Sequence, residues 1–214
     1  QYIGGSVASA LVNMTQPLTM SFPWLSQYGG AWNAAKALGE VARALPDRPA
    51  LLTDWGNAAL GAGEHLVWQA EQHPNVGLIG CEPYLNGVAK CLAHIERTGV
   101  GNIRLFTDDA RLVMAALPDR SLARVFVLFP DPWPKARHNR RRFVTPEYLV
   151  PLARKMTPGA EFRVATDIPD YVRQTLEEVP QAGFTLINQG DQPWSDWLST
   201  RYEQKALREG RPPH

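Results

Sequence analysis

From about residue 51 onward, short apolar runs alternate with amphipathic stretches, a pattern that few architectures accommodate. Val76–Cys81 (VGLIGC) reads as a buried strand, and Pro83–Arg97 has helical spacing through Leu85, Val88, Leu92 and Ile95. Asn102–Thr107 reads as a strand, Ala110–Leu117 as a helix, and Leu122–Phe129 (LARVFVLF) as the strongest strand of the chain. Thr145 as N-cap and Pro146 at the first helical position predict a helix over Pro146–Met156. Glu161–Ala165 is predicted as a strand, Tyr171–Val179 as a helix and Phe184–Asn188 as a further strand. Strands in alternation with helices predict the α/β class, with a mostly parallel, doubly wound sheet and helices on both faces. Such sheets bind their ligands at the carboxyl ends of the strands, where the strand order reverses.

The remaining composition narrows this. A chain of 214 residues holds one domain with its own core. Lys+Arg 22 against Asp+Glu 21 gives a net charge of +1, so affinity for nucleic acid has to come from local segregation of charge. Two cysteines, Cys81 and Cys91, argue against a disulfide scaffold, and no His or Cys spacing fits a metal site. No apolar run is long enough to cross a membrane and no basic signal region opens the chain, so a cytoplasmic protein is expected. The first 35 residues carry no Lys, Arg, Asp or Glu and show no clean period. A poorly ordered segment over residues 1–50, containing one helix at Trp32–Leu45, is therefore expected ahead of the domain at 51–214.

Several motifs fall at expected strand ends. Gly61-Ala62-Gly63-Glu64-His65-Leu66 sits where a first strand turns into a first helix, and small residues there let backbone approach a ligand. Glu82 follows nineteen residues after Gly63, a spacing that fits a carboxylate gripping ribose hydroxyls. A plain strand–helix turn with a surface Glu accounts for these residues equally well. Asp109, in Asp108-Asp109-Ala110, is either an acceptor for an adenine amino group or a helix N-cap. Phe129-Pro130-Asp131-Pro132-Trp133-Pro134-Lys135 is more informative. Its three prolines in five residues stiffen the loop and fix the directions of one carboxylate and one indole, as gripping a flat base requires. Lys135, Arg137, Arg140, Arg141 and Arg142 crowd into eight residues, with His138 among them, and read as a strip that contacts phosphates. Asp167, and Thr200-Arg201-Tyr202-Glu203 in the tail, carry no distinctive signal singly.

Taken together, GAGEHL, LIGCEP at Leu78–Pro83, FPDPWPKARHNRRRF at Phe129–Phe143, RVATD at Arg163–Asp167 and TRYEQKAL at Thr200–Leu207 resemble the bacterial tRNA (guanine-N7-)-methyltransferase family. The resemblance runs from about Leu60 to Pro212 and implies a Rossmann-like class I methyltransferase fold with S-adenosylmethionine as methyl donor and tRNA as partner. It implies cofactor contacts at Glu82, Asp109 and Asp131, with Asp131 also the active-site acid, and the close-approach turn at Gly61 and Gly63 is then expected to meet the cofactor as well. It implies tRNA or guanine contacts at Lys135, Arg137, His138, Arg140, Arg141, Arg142, Asp167, Thr200, Arg201, Tyr202 and Glu203. A monomer or homodimer is expected.

The departures bear on activity. Asn57 and Ala59 stand where the family carries a glutamate and a glycine, and residues 1 to about 59 do not follow the family pattern. That break, beside the uncharged start, reads as a gene-level change such as a shifted reading frame. The family continues into a last strand after the position of His214, so that strand is expected to be missing. A catalytically impaired remnant that only binds RNA is the alternative expectation. A dinucleotide oxidoreductase would require a third glycine at Leu66.

Overall fold

The computed structural model describes residues 50–54 and 63–214. The expected helix at 32–45 and the positions Asn57, Ala59 and Gly61 lie outside the described residues. In chain order the elements are β1 (Ala50–Asp54), α1 (Glu64–Gln72), β2 (Leu78–Cys81), α2 (Leu85–Thr98), β3 (Ile103–Phe106) and α3 (Ala110–Ala116). There follow β4 (Leu122–Leu128), a 3-10 segment (Ala136–Arg141), α4 (Pro146–Lys155), β5 (Met156–Ala165), α5 (Pro169–Gln181) and α6 (Arg201–Arg208). The five strands form one sheet in the order β3-β2-β1-β4-β5, and every pairing is parallel. The chain winds outward from β1 through β2 to β3, then returns to β4 on the other side of β1. The switch point therefore lies between the carboxyl ends of β1 and β4.

Side-chain alternation explains the two covered faces. Leu78, Ile103 and Leu105 point into a core with Leu66, Val67 and Ala70 of α1 and Val88 and Cys91 of α2. Ile79, Cys81, Phe106, Val125 and Val127 point the other way, onto Val113 and Met114 of α3 and Leu152 of α4. β2 is buried along its whole length and β4 from Val125 to Leu128, which is why the sequence shows short continuous apolar runs there. Local signals set the helix ends. Gly99 closes α2 in the left-handed region (φ 72°), its N–H donating to the Ile95 carbonyl at 2.8 Å. Thr145 and Pro146 open α4 as expected, although the Thr145 hydroxyl makes no capping bond.

Two expectations are corrected at the sheet edge. β5 starts at Met156, five residues before the expected Glu161. Its register against β4 jumps from Leu122↔Met156 to Arg124↔Glu161, with the extra residues taken up at Pro158 and at Gly159, whose φ is 79°. Phe184–Asn188 is not a strand. Alternating apolar residues make a strand only where a neighbour supplies hydrogen bonds, and among the described residues the outer edge of β5 carries no strand for this segment to join. Phe184 docks on Phe162, with ring centroids 5.4 Å apart, whereas Leu186 and Ile187 are exposed. A groove of about 1080 Å³ separates the β5 edge from this segment.

Candidate active site

The rim formed by the strand ends gathers most of the sequence blocks. At the end of β4 the chain turns sharply through Phe129 and Trp133, both non-glycine residues with positive φ (49° and 40°). Such conformations cost on the order of 1–3 kcal/mol each and persist only where neighbours hold them. The Phe129 N–H donates to the Ala165 carbonyl at 2.7 Å, and its ring stacks on Tyr202 at 6.1 Å. The Pro132 carbonyl accepts from Arg142 Nε at 2.9 Å, and the Trp133 carbonyl meets Arg142 Nη2 at 3.4 Å. The indole of Trp133 lies under the Arg141 guanidinium, 4.7 Å from the ring centre, with the His138 ring edge-on at 5.9 Å. Asp131, half-buried, sits inside this turn.

The basic strip splits into two kinds of residue. Lys135, Arg137, Arg140 and Arg141 are exposed, with His138 half-buried and accepting from Arg137 Nε at 3.2 Å. Arg142 is buried, with 1% of its surface accessible. Its Nη1 donates to Gln174 Oε1 at 2.7 Å and pairs with Asp170 Oδ2 at 2.9 Å, and its guanidinium faces the Tyr171 ring at 5.0 Å. Bonds from Arg173 and Arg142 hold the Asp170 carboxyl below the usual carboxylate range. The expectation that Arg142 contacts tRNA phosphate is thus corrected. A side chain enclosed by α5 and by the turn it supports presents no surface to a polyanion.

On the other side of the switch point, the Glu82 carboxylate is buried at the end of β2 and accepts the Tyr84 N–H at 2.8 Å. A Cβ at Gly87 would stand 2.8 Å from the Glu82 carboxyl carbon, so only glycine lets α2 lie this close to the acid. Asp109 caps α3, accepting from the Arg111 N–H at 2.9 Å, and pairs with the Arg111 guanidinium. The N-cap reading of Asp109 therefore holds. Gly63 precedes α1 with φ 69°, and a Cβ there would fall 2.4 Å from the Cys91 sulfur. Burial, with Glu82 and Glu64 nearby, pushes the Cys91 thiol up to about 12, which makes it an inert core residue.

The tail closes the rim. Asp167 pairs with Arg211, and Thr166 exchanges backbone hydrogen bonds with His214 at 2.9 and 2.8 Å. Thr200 caps α6, its hydroxyl accepting from the Glu203 N–H at 3.2 Å, and the Glu203 carboxylate accepts from Trp197 Nε1 at 2.8 Å. Arg201 pairs with Glu64 at 2.9 Å, which ties the start of α6 to the start of α1. A cavity of about 20 Å³ lined by Gly63, Leu128, Phe129, Thr200 and Tyr202 joins three blocks that are far apart in sequence.

One supporting cluster was not anticipated from the sequence. Asp196 bridges Arg163 Nη1 at 2.6 Å and Arg124 Nη1 at 2.8 Å, and Glu161 pairs with both arginines at 2.6 and 2.9 Å. Burial alone would raise the Asp196 carboxyl, but the bond and charge of Arg163, with Arg124, outweigh it and lower it. Beside them His65 is buried between Phe126 (4.9 Å) and Trp197 (4.8 Å), and burial lowers its pKa to about 4. The available signal was strand parity. Arg124 shares the face of Phe126 and Leu128, and Arg163 that of Ala165, so two cations on an inward face required acidic partners.

A family profile described as "Putative methyltransferase" matches residues 57–214. A tRNA (guanine-N(7)-)-methyltransferase of Paracoccus denitrificans is 63% identical over 168 residues, covering 78% of this chain and 70% of that protein. Proteins with the same name from Ruegeria sp. (strain TM1040) and Rhodospirillum rubrum are 62% and 52% identical over 164 residues, covering 75% and 74% of this chain and 64% of each relative. The chain thus spans about two thirds of the length of these relatives. Among solved structures, a 16S rRNA (adenine(1408)-N(1))-methyltransferase variant from Catenulisporales acidiphilia superposes with a TM-score of 0.51 at 20% identity, covering 71% of this chain and 77% of that one. An antibiotic-related methyltransferase superposes with a TM-score of 0.50 at 18% identity, covering 71% and 76%. These likenesses establish the Rossmann-like class I methyltransferase fold.

Proposed function

The chain belongs to the tRNA (guanine-N(7)-)-methyltransferase family, enzymes of the S-adenosylmethionine-dependent class, and from that premise we propose that it methylates N7 of guanine-46 in the tRNA variable loop. The donor set at the rim fits the cofactor. Glu82 and Asp109 follow adjacent strands, and Gly87 leaves room for the acid end of β2 to lie against α2. Glu82 would accept from the ribose hydroxyls, and Asp109 would lie at the adenine end. Bound there, S-adenosylmethionine supplies an electrophilic sulfonium methyl.

The protein's own share is positioning. Guanine N7 carries an in-plane lone pair, so no side chain has to remove a proton before attack. The site has to hold the base in line at near-attack distance. The Asp131 carboxylate accepts from the N1–H and N2–H₂ edge of guanine, and that contact strengthens as the base becomes cationic. Adenine lacks the donor pair and is rejected. Lys135, Arg137, Arg140 and Arg141 face solvent beside the turn, where they seat the polynucleotide through its phosphates. A tRNA substrate places the protein in the cytoplasm.

The observation that carries this reading is the acid-bearing turn Phe129–Lys135, held in a costly backbone conformation at the switch point with exposed cations next to it. The test is tritiated methyl incorporation into unmodified tRNA followed by base analysis. Label in 7-methylguanosine is expected, and label in another base overturns the assignment. Asn57 and Ala59 favour a second reading, an RNA-binding remnant without cofactor affinity. Titration calorimetry separates the two, because the remnant gives no heat with S-adenosylmethionine.

A further inference from the structure

We infer that Arg142 is a positioning residue that locks the Asp131 turn to α5, and so fixes the two acid-bearing strand ends of β4 and β5 relative to each other. This rests on the reading of Asp131 as the acid that grips the base. All three guanidinium nitrogens are engaged. Nε reaches the Pro132 carbonyl, Nη1 reaches Gln174 and Asp170, and Nη2 reaches the Trp133 carbonyl. Two of these acceptors belong to the turn that follows β4, the carbonyls of the two peptides that flank the Cα of the strained Trp133. The other two belong to the first turns of α5, which begins just after Asp167. Tyr171, fully buried, presents its ring to the guanidinium, so the same side chain also packs against α5.

The surrounding bonds make the clamp rigid. Gln174 does not end the chain of contacts, because its Nε2 donates to the Val144 carbonyl at 2.7 Å. Asp170 is gripped in turn by Arg173 at 2.7 Å, which leaves its carboxylate a fixed target. A lysine offers one nitrogen at the end of a flexible stem and cannot reach two carbonyls and two side chains in one plane. With the clamp gone, the positive φ of Trp133 loses its counterweight, and the neighbouring Asp131 loses its fixed direction.

The test compares wild type with Arg142→Lys and Asp170→Asn in the full chain. Three quantities are read: methyl transfer at saturating tRNA and S-adenosylmethionine, tRNA affinity across a salt series, and hydrogen exchange at the amides of residues 131, 133 and 135. Arg142→Lys is expected to lower kcat by about 10- to 100-fold, as loss of alignment does, and to speed exchange at Trp133. Its KM for tRNA should stay within about twofold and its salt slope should not change. An unchanged kcat in folded Arg142→Lys overturns the inference. So does a raised KM with kcat preserved and a shallower salt slope, the pattern of a phosphate contact. If Arg142→Lys does not fold, Asp170→Asn decides. It keeps the guanidinium, removes one partner at the rim, and should lower kcat in the same direction by a smaller factor; an unchanged kcat again overturns the clamp. If wild type transfers no methyl group, the proposed reaction fails, and exchange still judges the clamp, which is lost if Arg142→Lys leaves the turn as protected as before.

Discussion

The two sides of the switch point are built differently. On the side of β2 and β3, the acids make short-range bonds: Glu82 to the Tyr84 N–H, and Asp109 to Arg111. On the side of β4 and β5, the bonds span the chain. Arg142 reaches Gln174, Arg124 reaches Asp196, and Asp167 meets Arg211. Locally capped acids suit a small ligand whose shape is the same every time. The task proposed for the other side, orienting one base of a large folded polyanion, calls for a frame the substrate cannot bend, and bonds between distant segments supply it.

The largest expected effect tests whether the chemistry sits on the long-range side. Asp131→Asn keeps the shape of the side chain and removes the charge that answers the developing cation. A fall in kcat of about 10²- to 10³-fold is expected, the range for loss of one preorganised group. The tritium assay measures it, and wild-type turnover would move the chemistry away from β4.

The next effect concerns stability on the same side. His65 is buried between Phe126 and Trp197, and burial depresses its pKa from 6.5 to about 4. The folded state keeps it neutral, and the unfolded chain takes up the proton first. The stability carried by the neutral ring is complete above about pH 6.5 and is lost as pH falls toward 4, by on the order of 3 kcal/mol. Urea titrations at pH 7 and pH 4.5 should show that difference shrinking in His65→Phe, which keeps the aromatic packing. An equal acid loss in both proteins assigns the sensitivity to other groups.

What the sequence made legible follows the same division. Elements fixed by local signals were readable: the apolar runs of β2 and β4, Thr145-Pro146 before α4, and the capping role of Asp109. Arg140 and Arg142 look identical in a string of arginines, and only α5, about thirty residues later, makes one a clamp and leaves the other in solvent. Phe184–Asn188 has the alternation of a strand, and alternation carries no information about whether a neighbour exists. The Asp196 network was hidden for the same reason, because its partners lie 33 and 72 residues away.

On the short-range side, Glu82→Gln keeps an oxygen for the Tyr84 N–H and removes the charge offered to the ribose. S-adenosylmethionine affinity should fall by about 10- to 100-fold, the worth of a hydrogen bond to a charged group, while kcat at saturation stays near wild type. Titration calorimetry reads the first and single-turnover kinetics the second. A kcat loss as large as that of Asp131→Asn would erase the division between the two sides.

The smallest effect is expected from the exposed cations, and it separates them from their buried neighbour. Lys135, Arg137 and Arg140 face solvent, so each can neutralise a phosphate and release its counterion. Replacing all three by Ala should weaken tRNA binding at low salt and flatten the plot of log affinity against log salt by about 2 to 3. kcat should be nearly kept, since the role proposed for these groups is to hold the backbone of the RNA rather than the base. Arg141 stays out of the set because its guanidinium covers the Trp133 ring, and removing it would disturb the turn as well as the charge. If the triple variant keeps the wild-type slope in filter binding, the strip is a solvated face and the polyanion is seated elsewhere on the rim.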